Sequence, residues 1–329
     1  MAKSNLWPKG ILSSVAVPFD DNLAPDKDNL FRHCRWLLEN DVGLSLFSSN
    51  SEAHSLSLSE RKMLLEYIVD AGLPPSKMML GTSCYNIPET IELTRHAVKL
   101  GAAAVLIEPP VTYWGLSVDG LFDYFSRIID GVADNRLRIY LHHIPPLSHL
   151  PIILGLIERL LKAHPTTVVG VKDSSGLWSD HTAITNAFAQ GGFEVFSTSE
   201  AELLGTMRSG GVGCISATAN VNCVAIVRLA NNLQQDDAQV KQAALARVRN
   251  IFQKYPEIAA VKSVLARYSK NPAWATVRPP LVQLTDHQTE ELFHNLNVCG
   301  FNMLGLQESY QRNHDVLSPK NLEALLSWP

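Results

Sequence analysis

The chain has 329 residues, of which 46% are apolar and 18% charged, and its formal net charge is -4. Such a composition can build a packed core and excludes a disordered chain, which would be poorer in apolar residues and richer in net charge. The absence of a long Lys/Arg run argues against a nucleic-acid surface, and the longest apolar stretches fall far short of the roughly 20 residues of a membrane span. The first residues lack the apolar core of a signal peptide, so a cytoplasmic location is the expectation.

Short apolar runs alternate with longer amphipathic ones. Residues 11–19 form the first apolar run, and 28–39 follow with helical spacing at Leu30, Phe31, Cys34, Leu37 and Leu38. Residues 44–47 are the second run, and 59–71 the second helix, with Ser59 as its expected N-cap. Residues 78–80 end at Gly81, and the helix at 88–100 opens on Pro88. Residues 103–107 stop before Pro109-Pro110 and precede a helix at 118–132. Residues 137–141 stop before Pro145-Pro146 and precede a helix at 151–162. Residues 168–171 run into Lys172, with a helix at 180–190. The last two pairs are 194–196 with 201–209, and 213–216 with 221–233.

Eight strand–helix units, each strand apolar on both faces, predict a (β/α)8 TIM barrel over residues 1–233. A doubly wound open sheet would carry a Gly-rich phosphate turn after its first strand, where this chain has Pro18-Phe19-Asp20-Asp21. Residues 234–298 read as a C-terminal helical appendage, with helices at 238–255, 258–268 and 287–296. Residues 299–329 read as an extra tail, polar and weakly patterned, that wraps a neighbour or is poorly ordered.

The five cysteines are scattered and form no C-x-x-C pair, which argues against both a disulfide framework and a structural zinc site. The eleven histidines show no metal-ligand spacing, and the adjacent His142 and His143 point to opposite faces if they lie on a strand.

In a barrel the chemistry sits at the C-terminal ends of the strands. Lys172 is the sharpest signal there, because it ends the buried run Val168-Val169-Gly170-Val171. Burial disfavours an ammonium, lowers its pKa and frees the amine as a nucleophile able to form a Schiff base with a carbonyl. The alternative is a lysine that emerges from the sheet to pair with Asp173 or another carboxylate.

Four segments carry a family resemblance. Residues 169–176, Val-Gly-Val-Lys-Asp-Ser-Ser-Gly, are similar to the strand bearing the Schiff-base lysine of the dihydrodipicolinate synthase and N-acetylneuraminate lyase family of class I aldolases. Ser48-Ser49-Asn50-Ser51-Glu52-Ala53 resembles that family's G-T-T-G-E loop, and residues 211–220 resemble its G-x-x-G-x-I-S-x-x-A-N segment. Gly81, Glu89-Thr90 and the helix running to Gly101-Ala102 match its third unit, so the likeness extends from about Gly10 to Leu296.

The resemblance implies that Lys172 forms an imine with pyruvate or another 2-oxo acid, and that Ser49 and the N–H groups around Ser49 and Asn50 hold the substrate carboxylate. It implies that Ile215 lines the pocket beside the imine, that Gly213 gives clearance, and that Glu52 supports the loop. No metal or organic cofactor is then required, since the protonated imine is the electron sink. Three positions depart from the family. His142 stands where the family has a proton-relaying Tyr, with Tyr140 one layer deeper on the same face. Asn50 replaces a relay hydroxyl, and Leu147 replaces the synthases' carboxylate-binding Arg. Tyr113 falls near a second family Tyr that crosses a subunit interface, at a one-residue offset.

The expected function is a lyase that cleaves or condenses a sugar-acid-derived or aromatic 2-oxo acid. His142 is its acid/base group, and Leu147, His143 and His149 leave a second-substrate pocket less basic than the synthase needs. The alternatives are 4-hydroxy-tetrahydrodipicolinate synthase proper, a 2-keto-3-deoxy acid dehydratase, and a non-catalytic ligand-binding homologue. The expected partners are a small 2-oxo acid, with or without an aldehyde, and further copies of the chain in a tetramer or dimer.

Overall fold

The computed structural model describes residues 9–110, 113, 115–145, 152, 154–303 and 305–310. Eight parallel strands close into a barrel in chain order. They are β1 (Gly10–Ser14), β2 (Gly43–Leu46), β3 (Met78–Gly81), β4 (Ala104–Ile107), β5 (Ile139–His143), β6 (Val168–Asp173), β7 (Glu194–Ser197) and β8 (Gly213–Ser216). Around them run α1 (Lys27–Glu39), α2 (Leu58–Asp70), α3 (Ile87–Lys99), α4 (Val118–Val132), α5 (Leu154–Ala163), α6 (Trp178–Phe188), α7 (Leu203–Arg208) and α8 (Ala219–Ala230). After them come α9 (Ala238–Phe252), α10 (Glu257–Ser269) and α11 (Asp286–Val298). No helix among the described residues is long and apolar enough to cross a membrane.

The period-two alternation of strand side chains divides each strand between two cores. Leu12, Met79, Leu106, Tyr140, Phe196 and Ile215 meet inside the barrel. The alternate residues, such as Leu44, Val105, Leu141 and Val171, join the layer under the helices. Tyr140 and Phe196 pack edge to face with centroids 5.6 Å apart. The Tyr140 hydroxyl donates to Glu194, the first residue of β7, so it points away from the C-terminal ends of the strands. Gly170 makes room for that ring, since a Cβ there would lie 2.4 Å from it.

The predicted strand ends stop short of the real ones where the chemistry lies. β5 continues through His142 and His143, and β6 through Lys172 and Asp173. Polar side chains end an apolar run in the sequence, but at the barrel rim they still belong to the hydrogen-bonded ladder. In contrast β1 ends at Ser14, and the buried Val15, Ala16, Val17 and Phe19 continue the core from a loop.

Helix α2 is capped by Ser57, not by the expected Ser59. The Ser57 hydroxyl accepts from the Glu60 N–H, and the Glu60 carboxylate accepts from the Ser57 N–H. The Ser-x-x-Glu spacing allows this reciprocal box only from position 57.

Closure of the barrel rests on residues more than 200 positions apart in the chain. The Asn220 side chain, buried at the start of α8, accepts from the Ala16 N–H at 3.0 Å and donates to the Ser14 carbonyl at 2.7 Å. At the other end of the same seam Gly213 lies against Gly10, where a Cβ would come within 1.8 Å of the Gly10 carbonyl oxygen.

The appendage is continuous with the barrel's outer core. Trp274, fully buried after α10, meets His33 of α1 edge-on at 5.2 Å. The first tail residues pack there too. Phe301, Met303, Leu306 and Tyr310 join the same core, and the Ser309 hydroxyl donates to Glu39 at 2.9 Å.

The close approach at Gly213, which also has a φ of +149°, predicts that Gly213→Ala destabilises the protein by about 2–4 kcal/mol. Denaturant titration reads this directly, and an unchanged midpoint would contradict the tight β1–β8 contact.

Candidate active site

Lys172 occupies the C-terminal end of β6, one residue before Asp173 ends the strand, and is 1% exposed. It lies on the inner face, two residues beyond Gly170. Its strand neighbour on β5 is His142, in register with it. Burial lowers the Lys172 pKa to about 8; Glu108 and Glu257 oppose that shift and Arg249 adds to it. Among the described residues, no carboxylate lies within ion-pair distance of its ammonium. The alternative of a pair with Asp173 is not realised, because Asp173 points to the opposite face. There it bonds His143 Nδ1 at 3.1 Å and the Ser175 N–H at 3.0 Å, and lies 3.6 Å from His181 Nδ1 on α6.

His142 and His143 accordingly face opposite sides. His143 belongs to the layer under the helices, where it bonds Asp173. His142, 2% exposed, faces inward. Its Nδ1 lies 3.3 Å from Glu108 Oε2 and its Nε2 lies 3.1 Å from the Ser174 hydroxyl. Burial lowers its pKa to about 4, reinforced by Lys172 and opposed by Glu108. Burial resists ionisation of Glu108, but hydrogen bonds from His142 and His54 outweigh it and hold the carboxyl well below the usual range. The carboxylate is therefore the acceptor, His142 carries its proton on Nδ1, and its Nε2 accepts from Ser174.

The loop after β2 turns sharply. Ser49–Ser51 form a single 3-10 turn, and Glu52 takes a left-handed φ of 53°. The Ser49 hydroxyl is buried without a hydrogen-bond partner. A small cavity of about 10 Å³, roughly the volume one water needs, lies between Ser48, Ser49, Gly81, Glu108 and His142. Gly81 is required there, because a Cβ would sit 2.0 Å from the Phe47 carbonyl oxygen. Larger cavities lie elsewhere, including one of about 630 Å³ at the N-terminal end of the barrel between Gly10, Phe31, Val42 and Leu73. Chemistry rather than size identifies the site.

The Asn50 amide donates to Glu257 Oε2 at 3.2 Å, so it points toward the appendage. Arg249 pairs with the other oxygen of Glu257. Burial raises the Glu257 pKa, with Arg249 and Lys172 opposing. Glu52 is committed to structure. Its carboxylate bonds the fully buried Lys262 of α10 at 2.6 Å and accepts from the Arg278 N–H at 3.3 Å.

The other expected site residues are dispersed. Ile215 lies in the inner cluster. Gly213 is at the opposite end of β8, against Gly10, so its lack of a side chain serves strand contact. Tyr113 is 58% exposed on its loop. Leu147 and His149 fall outside the described residues. Sequence reasoning gave no role to Glu108, although it ends the apolar run of β4 as Lys172 ends that of β6. His54, half-exposed with its Nε2 3.3 Å from Glu108 Oε1, had no signal at all. Among the described residues, no group of three or more His, Cys, Asp or Glu is placed to hold a metal.

The buried Glu52–Lys262 pair predicts that Lys262→Met strands the Glu52 charge and costs about 3–5 kcal/mol. The double variant Glu52→Gln/Lys262→Met should recover part of that loss in thermal denaturation; an additive loss would refute the coupling.

Comparison with known proteins places these features. The dihydrodipicolinate synthetase family model matches residues 7–298. An uncharacterized DapA-like lyase of Chloroflexus aurantiacus is 30% identical over 293 residues, covering 87% of this chain and 95% of its own length. The 4-hydroxy-tetrahydrodipicolinate synthase of Rhizobium meliloti is 35% identical over 218 residues, 65% of this chain and 71% of the relative. Among solved structures, YagE from E. coli K12, of the dihydrodipicolinic acid synthase family and in complex with pyruvate, superposes with a TM-score of 0.81 at 25% identity, covering 89% of this chain and 99% of that one. With a closed eight-stranded barrel, a buried lysine at the rim of β6 and a family match over most of its length, the chain belongs to the dihydrodipicolinate synthetase family of class I Schiff-base aldolases.

Proposed function

We propose that the protein is a lyase in which Lys172 forms a Schiff base with pyruvate or with the pyruvate-like end of a larger 2-oxo acid. The observation that carries this reading is a lysine 1% exposed at the barrel rim, free of carboxylate contact among the described residues, with its pKa drawn down to about 8. At pH 7 about a tenth of such a lysine is free amine, against roughly one in three thousand for an ordinary one. The amine attacks the 2-oxo carbon, and loss of water from the carbinolamine leaves a protonated imine. In the cleavage direction the C3–C4 bond breaks and its electron pair enters the imine system as an enamine. Protonation at C3 and hydrolysis then release pyruvate.

The substrate carboxylate sits on the loop of Ser49 and Asn50. The unpartnered, buried Ser49 hydroxyl supports this, since a buried donor with no acceptor is costly and an anion would satisfy it. His142 is the acid/base group. It stands in register beside Lys172, and its neutral imidazole offers Nε2 as the base. Leu147 cannot bind a carboxylate as an arginine does. It therefore favours a sugar-acid-derived or aromatic 2-oxo acid over the synthase's aldehyde partner. Likeness to the Rhizobium synthase favours the synthase as second reading, and a coupled assay with aspartate semialdehyde separates the two. The reading includes a homo-oligomer, a tetramer or dimer.

Borohydride reduction in the presence of pyruvate should leave a stable adduct on Lys172, located by peptide mass spectrometry. Lys172→Ala should abolish both adduct and turnover, and retained turnover would end the mechanism. The rate of adduct formation should rise about tenfold per pH unit below pH 8 and level off above it, as the amine loses its proton. A rise that continues toward pH 10 would mean an unperturbed lysine.

A further inference from the structure

We infer that Glu108 and His54 carry protons between His142 and the solvent, so that His142, Glu108 and His54 form a relay leading out of the barrel mouth. The inference rests on the reading that Lys172 forms an imine beside His142, and adds the route by which the buried base is reset.

A base that is 2% exposed cannot trade protons with bulk water directly. Among the described residues, Glu108 supplies a bridge. Glu108 touches His142 Nδ1 through Oε2 at 3.3 Å and His54 Nε2 through Oε1 at 3.3 Å. Side-chain exposure grades outward along that line, from 2% at His142 through 10% at Glu108 to 37% at His54. His54 opens on a cleft of about 320 Å³ shared with Arg61, Ser83, Tyr85 and Pro109. The bridge is held in place from behind, since the Glu108 N–H donates to the Ser83 hydroxyl at 2.8 Å.

The partners of Glu108 can carry protons, and unlike the His143–Asp173–His181 cluster they lead outward to an exposed imidazole. Arg61 is near enough to feel Glu108, yet its guanidinium donates to the Ser83 carbonyl at 3.0 Å and to the Ala53 carbonyl. Glu108 is left to two imidazoles, each able to gain or lose a proton. The other ionisable groups that act on the line are Lys172 and His143 at His142, and the Tyr124 phenol at longer range from Glu108.

The transfer balances. His142 Nε2 takes a proton from C3 of the imine; the C–H pair becomes the C2–C3 double bond and the imine pair moves to nitrogen. The ring passes its Nδ1 proton to Glu108 Oε2. His54 exchanges with solvent to its Nδ1–H tautomer, rotation about the soft carboxyl torsion delivers the Glu108 proton to the free Nε2, and Nδ1 sheds its proton to solvent, which leaves Nε2–H donating to Glu108 again. Protonation of the enamine runs the same line inward.

The test uses the full chain with pyruvate in D2O and reads two signals: the borohydride adduct on Lys172, and exchange of the pyruvate methyl protons by NMR. His54→Ala should keep the adduct, lose methyl exchange about tenfold or more in dilute buffer, and recover it on adding imidazole. A structural role would not respond to the buffer. Glu108→Gln should lose exchange without recovery by imidazole, because the inner link is cut. Wild-type exchange by either variant in dilute buffer, or a loss in His54→Ala that imidazole does not restore, would overturn the relay while leaving the Lys172 adduct standing. A wild-type protein that forms no adduct would overturn the Lys172 reading and the relay with it.

Discussion

The site depends on keeping one amine buried and unneutralised. A lysine at the rim of a parallel barrel sits among carboxylates, and any one of them in contact would restore its charge and end its nucleophilicity. Here each neighbouring acid is committed elsewhere. Asp173 turns outward to His143 and His181, Glu108 bonds His142 and His54, Glu257 pairs with Arg249 and Asn50, and Glu52 holds Lys262. Glu108 and Glu257 still act on Lys172 at a distance, which is why its pKa falls only to about 8 rather than further. Burial and residual attraction together leave a lysine that is mostly protonated near neutrality yet supplies a useful fraction of amine.

That arrangement stands on a barrel whose interior is divided by depth. Leu12, Met79, Leu106, Tyr140, Phe196 and Ile215 fill the deeper layers with hydrocarbon. Two residues further along their strands stand Ser14, Gly81, Glu108 and His142, so polar chemistry begins where the apolar plug ends. Tyr140 belongs to the plug. Its hydroxyl is spent on Glu194, and burial with the nearby Glu194 charge pushes its pKa up. It therefore leaves His142 as the β5 side chain available at the level of Lys172.

In the proposed site the imidazole of His142 works with a partner. An imidazole is shorter than a phenol but has two nitrogens, so it can face the reaction with one and a partner with the other. Glu108 fills the partner's place, and Ser174 the other side. Asn50, which cannot relay a proton, is turned away to Glu257. In the proposed site the polar partner of His142 is therefore Glu108, just beyond the end of β4.

The sequence by itself determined the eight strand–helix units, the barrel and the exceptional place of Lys172, because burial on both faces and the position of a charge at the end of an apolar run are properties of neighbouring residues. It also placed His142 and His143 on opposite faces, since strand alternation is local. It did not determine strand ends at the rim, where His142, Lys172 and Asp173 remain in the ladder although their polarity ends the run. Only the tertiary structure decided which face of each strand turns inward, and hence that Asp173 avoids Lys172 while Glu108 meets His142. Only it brought Glu257 and Lys262 of the appendage to the loop of Asn50 and Glu52, over 200 residues away, and set Gly213 against Gly10. Those contacts depend on how β8 closes on β1 and how α10 packs across the rim. Such geometry belongs to the closed barrel as a whole, and no stretch of the chain encodes it alone.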